Sequence, residues 1–248
     1  HHDHAEQRAE RLLQIMQDNH SSSWLKQSNH YHPPGTAPGT LVQHHPDGAE
    51  NVKISVIRYN ENHFIEKTVA SLQECWQEEV SDEINWINIE GNCSPAVLSQ
   101  MGEHYGLHPL ALEDVLNSGQ PTKLERYDDY YFMVLHLLSA DEALGTREVS
   151  IFWGKNYIIS IEENEEEAFE NVRNRLRHPQ AKMRELGSDY LAYCLVDTMV
   201  DRLFPRMEAL REELDQLEDS IFFRSDKDII TRIHNIKMRL LLLAKLVW

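Results

Sequence analysis

The last quarter of the chain carries an apolar stripe at helical spacing, and that stripe constrains the architecture more than any other feature. Leu191, Leu195, Met199, Leu203, Leu210, Leu214 and Leu217 fall on or near one face of a helical pattern over residues 189–223. Pro205 lacks an amide hydrogen and crowds the preceding turn, so a kink or a split is expected there. Ser225 offers a capping oxygen for a second helix over residues 226–248. Asp228, three residues on, completes a capping-box-like arrangement. Two long helices joined by a turn near Phe223, Arg224 and Ser225 must pack antiparallel, which makes residues 188–248 a long helical hairpin. The first helix is acidic on its far half, where Glu208, Glu212, Glu213, Asp215, Glu218 and Asp219 face only Arg211. The second ends on MRLLLLAKLVW with no Gly or Asn cap, so the helix is expected to continue past Trp248.

Upstream, residues 40–187 mix two periodicities. Segments 52–59 and 84–89 are short and rich in Val, Ile, Trp and Tyr, as strands are. Ser94 followed by Pro95 pairs a capping oxygen with a proline at the first helical position. The helix it starts should stop at Gly106. A second short helix is expected from Pro109 to Asn117. Residues 130–138 form a nearly continuous apolar strand, read as a central one. Segments 149–153 and 157–161 flank Gly154, Lys155 and Asn156, a hairpin signal, and a helix is expected over 166–177. The expected fold is therefore α/β: a layered α/β domain with a mixed sheet, followed by the long antiparallel helical hairpin. Residues 1–39 read as an N-terminal extension and linker. A helical pattern over 3–19 is followed by a Ser-, Pro- and Gly-rich stretch, and eight of the 14 histidines fall within the first 45 residues at irregular spacing.

Composition narrows the function. With 41 acidic against 24 basic residues the formal net charge is -17, a balance that repels nucleic acid and anionic lipid and attracts cations. Cys75, Cys93 and Cys194 are odd in number and far apart, which points to a reducing compartment and away from a thiolate metal site. No run of about 18 apolar residues is present, so nothing in the sequence reads as a membrane-spanning helix. The sequence carries no GxSxG, no P-loop and no GxGxxG, so it does not read as an enzyme. Left to these features alone, a soluble protein whose helical hairpin pairs with another coiled coil is an alternative.

Three stretches resemble the CorA family of magnesium and divalent-cation transporters. The first is Asn85-Trp86-Ile87-Asn88-Ile89-Glu90-Gly91, similar to a strand ending in W-I-N-I-x-G. The second and most specific runs from Gly106 through His108-Pro109-Leu110-Ala111-Leu112-Glu113-Asp114-Val115-Leu116-Asn117, with Lys123-Leu124-Glu125 and Tyr131-Phe132 following. The third is Asp189-Tyr190-Leu191 running into Leu195-Val196-Asp197 and Val200-Asp201. Gln120-Pro121-Thr122-Lys123 departs from the family's commoner Q-R-P-K. The resemblance implies the cytosolic part of a homopentamer at the inner membrane, with the membrane segments and the family's Gly-Met-Asn motif beyond Trp248. It also implies Mg2+ as regulatory and transported ion, with Co2+ as a further cargo. A zinc-transporting relative (Zn2+) is the alternative within the family, which the His-rich start favours.

Hard cations such as Mg2+ take oxygen ligands and shed their waters reluctantly, so a sensor for them is built from carboxylates. Glu113 and Asp114 are an adjacent pair, and Asp197 and Asp201 stand i and i+4 on one helix face. By themselves these residues read as a solvated helix end and a polar stripe. The family motif reverses both readings: by resemblance Asp114, Glu113 and Asp197 match positions that bind regulatory cations between neighbouring subunits, and Asp201 joins them by its spacing from Asp197. His104 and His108 share the same i, i+4 spacing, but Gly106 and Pro109 interrupt any helix between them, so both read as structural.

Overall fold

The structure, a computed structural model, describes residues 37–41, 52–117, 119–138, 146–162, 168–223 and 229–247. The expected helix over 3–19, the His-rich start and the Ser225–Asp228 cap lie outside the described residues. In chain order the elements are β1 (Lys53–Tyr59), β2 (Phe64–Val69), α1 (Leu72–Trp76), β3 (Ile84–Glu90), α2 (Pro95–Tyr105), α3 (Pro109–Leu116) and β4 (Lys123–Arg126). There follow β5 (Tyr130–Leu138), β6 (Thr146–Gly154), β7 (Tyr157–Glu162), α4 (Glu170–Arg177), a 3-10 turn (Lys182–Glu185), α5 (Ser188–Asp201), α6 (Leu203–Phe223) and α7 (Ile229–Val247).

The strands form one sheet in the order β2-β1-β3-β7-β6-β5-β4. The β3–β7 pair at its middle is parallel and its other ladders are antiparallel, so the sheet is mixed as expected. Strand β5 is not central. Despite its apolar run it stands next to the edge strand β4, and β3 and β7 occupy the middle. The reason is that β5 is buried from both faces without needing central rank: Phe132 and Val134 pack on one side, Met133 and Leu137 on the other.

Helices cover both faces. Ile54, Val56, Ile87, Ile89, Phe152 and Ile159 point toward α1, α2 and α3, which contribute Leu72, Leu98, Met101, Ala111 and Leu112. The alternate residues Ile57, Tyr59, Trp86, Ile151 and Ile158 point toward α4 and α5, where they meet Val172, Leu176, Leu191, Leu195 and Met199. The local signals behave as their chemistry demands. Ser94 Oγ accepts from the Val97 amide at 3.4 Å to cap α2, and Gly106 ends that helix at φ 67°, a conformation that favours glycine.

The long helical pattern divides at Arg202, three residues before Pro205, into α5 and α6. The stripe that is continuous in sequence serves two partners: its first part packs on the sheet, while Leu210 and Leu217 pack against Ile236 of α7. The helical pair thus begins at Leu203, and α5 belongs to the layered domain.

Buried charges join α4 to the sheet. Glu90 and Glu162 are register partners on β3 and β7, 2% and 3% exposed. Burial, and next the charge of Glu90, pushes the Glu162 carboxyl up to about 8 against the pull of Arg147, Arg173 and Arg202. Glu162 Oε2 finds no hydrogen-bond partner among the described residues. A carboxyl whose pKa rises on folding holds its proton more tightly when folded. Its contribution to stability is complete below the unfolded value of 4.5 and is lost as pH climbs through about 8. Glu162→Gln is expected to remove that dependence. Urea unfolding at about pH 4, 7 and 9 should show the variant matching the parent at the lowest pH and exceeding it by more than about 1 kcal/mol at the highest.

Candidate functional site

Glu113 and Asp114 stand in the last turn of α3, a helix placed by its own sequence. His108 Nδ1 accepts the Leu110 amide at 3.2 Å to cap it, Pro109 opens it, and Ala111 and Leu112 pin it to the sheet. Backbone carbonyls at a helix C-terminus carry partial negative charge, so this end repels carboxylates and draws cations. The two acids turn to different partners. Glu113 Oε2 accepts from the Gly39 amide, tethering the 37–41 segment to α3. That contact needs glycine at 39: its φ is 81°, and a Cβ there would lie 2.9 Å from the Cβ of Pro109. Asp114 Oδ2 accepts from Lys123 Nζ at 2.6 Å, across the gap between α3 and the edge strand β4.

Lys123 also donates to Glu125 Oε1 at 2.9 Å, and Tyr127 Oη donates to Glu125 Oε2 at 3.2 Å. Its ammonium lies 5.4 Å from the centre of the Phe132 ring. Burial works to lower the Lys123 pKa, but the bonds to Asp114 and Glu125 outweigh it and the net direction is upward. Burial, followed by the Glu125 charge, pushes the Tyr127 hydroxyl up to about 12, which keeps it a donor. Lys123 and Glu125 were not singled out as site residues from sequence, where they stood only as part of a motif. Their signal is the i, i+2 spacing on β4 that puts both side chains on one face of the strand.

Asp197 and Asp201 lie on α5, against the other face of the sheet. Asp197 is half-buried and accepts from Tyr193 Oη at 3.3 Å, and Asp201 is exposed at the end of the helix. The four expected acids therefore fall into two pairs on opposite sides of the domain. Among the described residues no group of three or more His, Cys, Asp or Glu is arranged to hold a metal. The oxygen donors suit a hard divalent cation in kind, but a single chain presents them apart.

His104 and His108 take separate local roles. His104 stacks on Trp76 at 4.1 Å and meets Glu79 Oε2 at 3.3 Å, while His108 caps α3. None of the three cysteines is in a disulfide. Among the described residues no helix is long and apolar enough to cross a membrane.

Comparison with known proteins agrees with this architecture. Residues 81–248 match the family described as CorA-like Mg2+ transporter protein. The chain is 34% identical over 217 residues to the cobalt/magnesium transport protein CorA of Thermotoga maritima, a match that takes in 86% of this chain and 62% of that protein. It is 29% identical over 145 residues to the putative metal ion transporter YfjQ of Bacillus subtilis, covering 58% and 45% of the two. The chain thus spans less than two thirds of the length of either relative.

Two solved structures share the fold. The CorA magnesium transporter from Methanocaldococcus jannaschii superposes with a TM-score of 0.57 at 17% identity, over 77% of this chain and 58% of that one. The cytoplasmic domain of ZntB from Vibrio parahaemolyticus superposes with a TM-score of 0.58 at 12% identity, over 78% and 75%. The sequence motifs, the mixed sheet between helical layers and the match over residues 81–248 together place the chain in the CorA-like Mg2+ transporter family.

Proposed function

We propose that this chain is the cytosolic regulatory part of a homopentameric Mg2+ and Co2+ transporter, and that Asp114 binds a regulatory divalent cation at the contact between neighbouring subunits, with Glu113, Asp197 and Asp201 supporting it. The observation that carries the reading is the division of the acids between α3 and α5, on opposite faces of the sheet. One chain cannot close such a site on itself. In a ring, the α3 side of one domain can face the α5 side of the next, so each subunit supplies half.

The electrostatics then work as a switch. At a net charge of -17, neighbouring domains repel through their acidic faces, and the open ring is favoured. A bound Mg2+ supplies the positive charge that offsets this repulsion. Asp114 and Asp197 hold the closed ring together only to the extent that the closed state binds the ion better than the open one. The relative named for cobalt and magnesium transport supports the choice of ions. The likeness to the ZntB cytoplasmic domain supports a second reading, a zinc transporter. The donors at the two halves favour the first, because carboxylate oxygens suit Mg2+ whereas zinc sites are rich in nitrogen and sulfur.

The test is current through the full-length protein in a planar bilayer, measured across a series of cytosolic Mg2+ concentrations. Suppression of the current by cytosolic Mg2+ is expected. A current indifferent to that concentration overturns the regulatory reading, and selectivity for Zn2+ over Mg2+ favours the second.

A further inference from the structure

The Asp114 carboxylate already holds a cation. Lys123 Nζ lies 2.6 Å from Asp114 Oδ2 and 2.9 Å from Glu125 Oε1, with the Phe132 ring at 5.4 Å. The lysine and aspartate side chains are only 19% and 23% exposed, so this is not a pair of surface charges waving in solvent. The ammonium is fixed from three sides by elements that the fold holds rigidly: the end of α3, the strand β4 that carries Lys123 and Glu125, and β5, which carries Phe132 and pairs with β4. An ammonium is a compact, strongly hydrated cation that seeks oxygen, as Mg2+ does.

We infer that Lys123 is a tethered competitor for the regulatory cation, which must displace its ammonium from Asp114, so that this bond sets the concentration at which the site fills. The inference rests on the reading that Asp114 binds that cation. Competition of this kind scales the apparent dissociation constant by the ratio of lysine-bound to lysine-released states. The positive charge left nearby acts in the same sense, by repelling the incoming ion. When Lys123 swings away it also releases Glu125, whose carboxylate becomes a further oxygen donor beside Asp114. The lysine thus has two effects on one site: it lowers affinity, and it keeps the acids of the empty site from repelling one another.

The test uses the full-length protein in detergent, with Mg2+ alone as the probe at constant ionic strength and protection from limited proteolysis as the readout. Lys123→Met is expected to lower the Mg2+ concentration for half protection by about tenfold. Lys123→Gln should lower it as well, which guards against a fold defect peculiar to methionine. Lys123→Arg, which keeps the charge, should stay within about threefold of the parent. A merely structural role would not give this pattern, since a disturbed site binds less tightly whereas loss of a competitor makes it bind more tightly. If the Met and Gln variants need as much Mg2+ as the parent, or more, while Asp114→Asn needs still more, Lys123 positions Asp114 and the inference is overturned though the site stands. If Asp114→Asn leaves the half-protection point unchanged, the assignment of Asp114 itself fails and the inference falls with it.

Discussion

Asp114→Asn, in the full-length protein, is expected to raise the cytosolic Mg2+ concentration that suppresses current by roughly tenfold, the effect of removing about 1.4 kcal/mol from the closed state. Asparagine keeps the size of the side chain and one carbonyl oxygen but loses the charge that draws a hydrated divalent ion. Fold stability should change little. Asp114 is a partly exposed helix-end residue, and Lys123 retains Glu125 as a partner after the change. The pore's preference among ions should also stay the same, because the proposal gives Asp114 a regulatory role at a contact between subunits and no part in the pore. Adding Asp197→Asn should weaken suppression further, since the proposal gives both acids the same ion. An inhibition curve unchanged in the single and double variants would move the site elsewhere.

The largest expected effect on stability is at Arg173. From α4 its guanidinium donates to Ser55 Oγ at 3.0 Å, lies 3.5 Å from Glu66 Oε1 and 3.7 Å from Glu90 Oε1, and sits 5.0 Å from the Trp86 ring. It therefore ties one helical layer to β1, β2 and β3 at once. Arg173→Ala leaves the Glu90 carboxylate buried beside Glu162 with less opposing charge, and a broken buried pair costs about 3–5 kcal/mol. Lys53, 3.0 Å from Glu90, offsets part of this, so the lower end is expected. Adding Glu90→Gln should recover a good part of the loss, because the two residues act on one another and their effects will not add. Urea unfolding of the two single variants and the pair would measure it. A full additive loss would mean that Arg173 acts through packing rather than charge.

What the sequence discloses depends on whether a signal is local. The Ser94-Pro95 cap, the stop at Gly106, the Pro109 helix and the Gly154-Lys155-Asn156 hairpin all lie where the sequence places them, because each rests on a few neighbouring residues. Strands β2 and β4 were not expected. FIEKTV and KLER are edge strands, and edges carry the charges that discourage pairing with another chain, so apolar alternation is weak there. The rank of β5 was misread for the complementary reason: its burial comes from helices above and below, which no single strand records.

The candidate acids were legible through a motif, but their division between two faces is a property of the sheet. The bridge from Asp114 to Lys123 is likewise tertiary. The two residues stand nine positions apart in sequence, one in the last turn of α3 and the other at the start of β4, a geometry that neither residue signals alone.

The parallel ladder at the middle of the sheet has a consequence for how such a chain acquires its structure. It pairs Asn85 with Tyr157, so the chain must bring together positions about 70 residues apart before that seam can close. The antiparallel hairpins β1–β2, β4–β5 and β6–β7 join near neighbours and can form early, while non-local pairing slows the search. Asp114, Lys123 and Glu125 all lie inside the excursion that the seam closes. Until it does, the β1–β3 half of the sheet and the β4–β7 half are separate pieces, and their apolar edges stand open to other nascent chains. In the proposed ring, whose subunits must find one another, the interval before the seam closes is the one in which wrong partners compete.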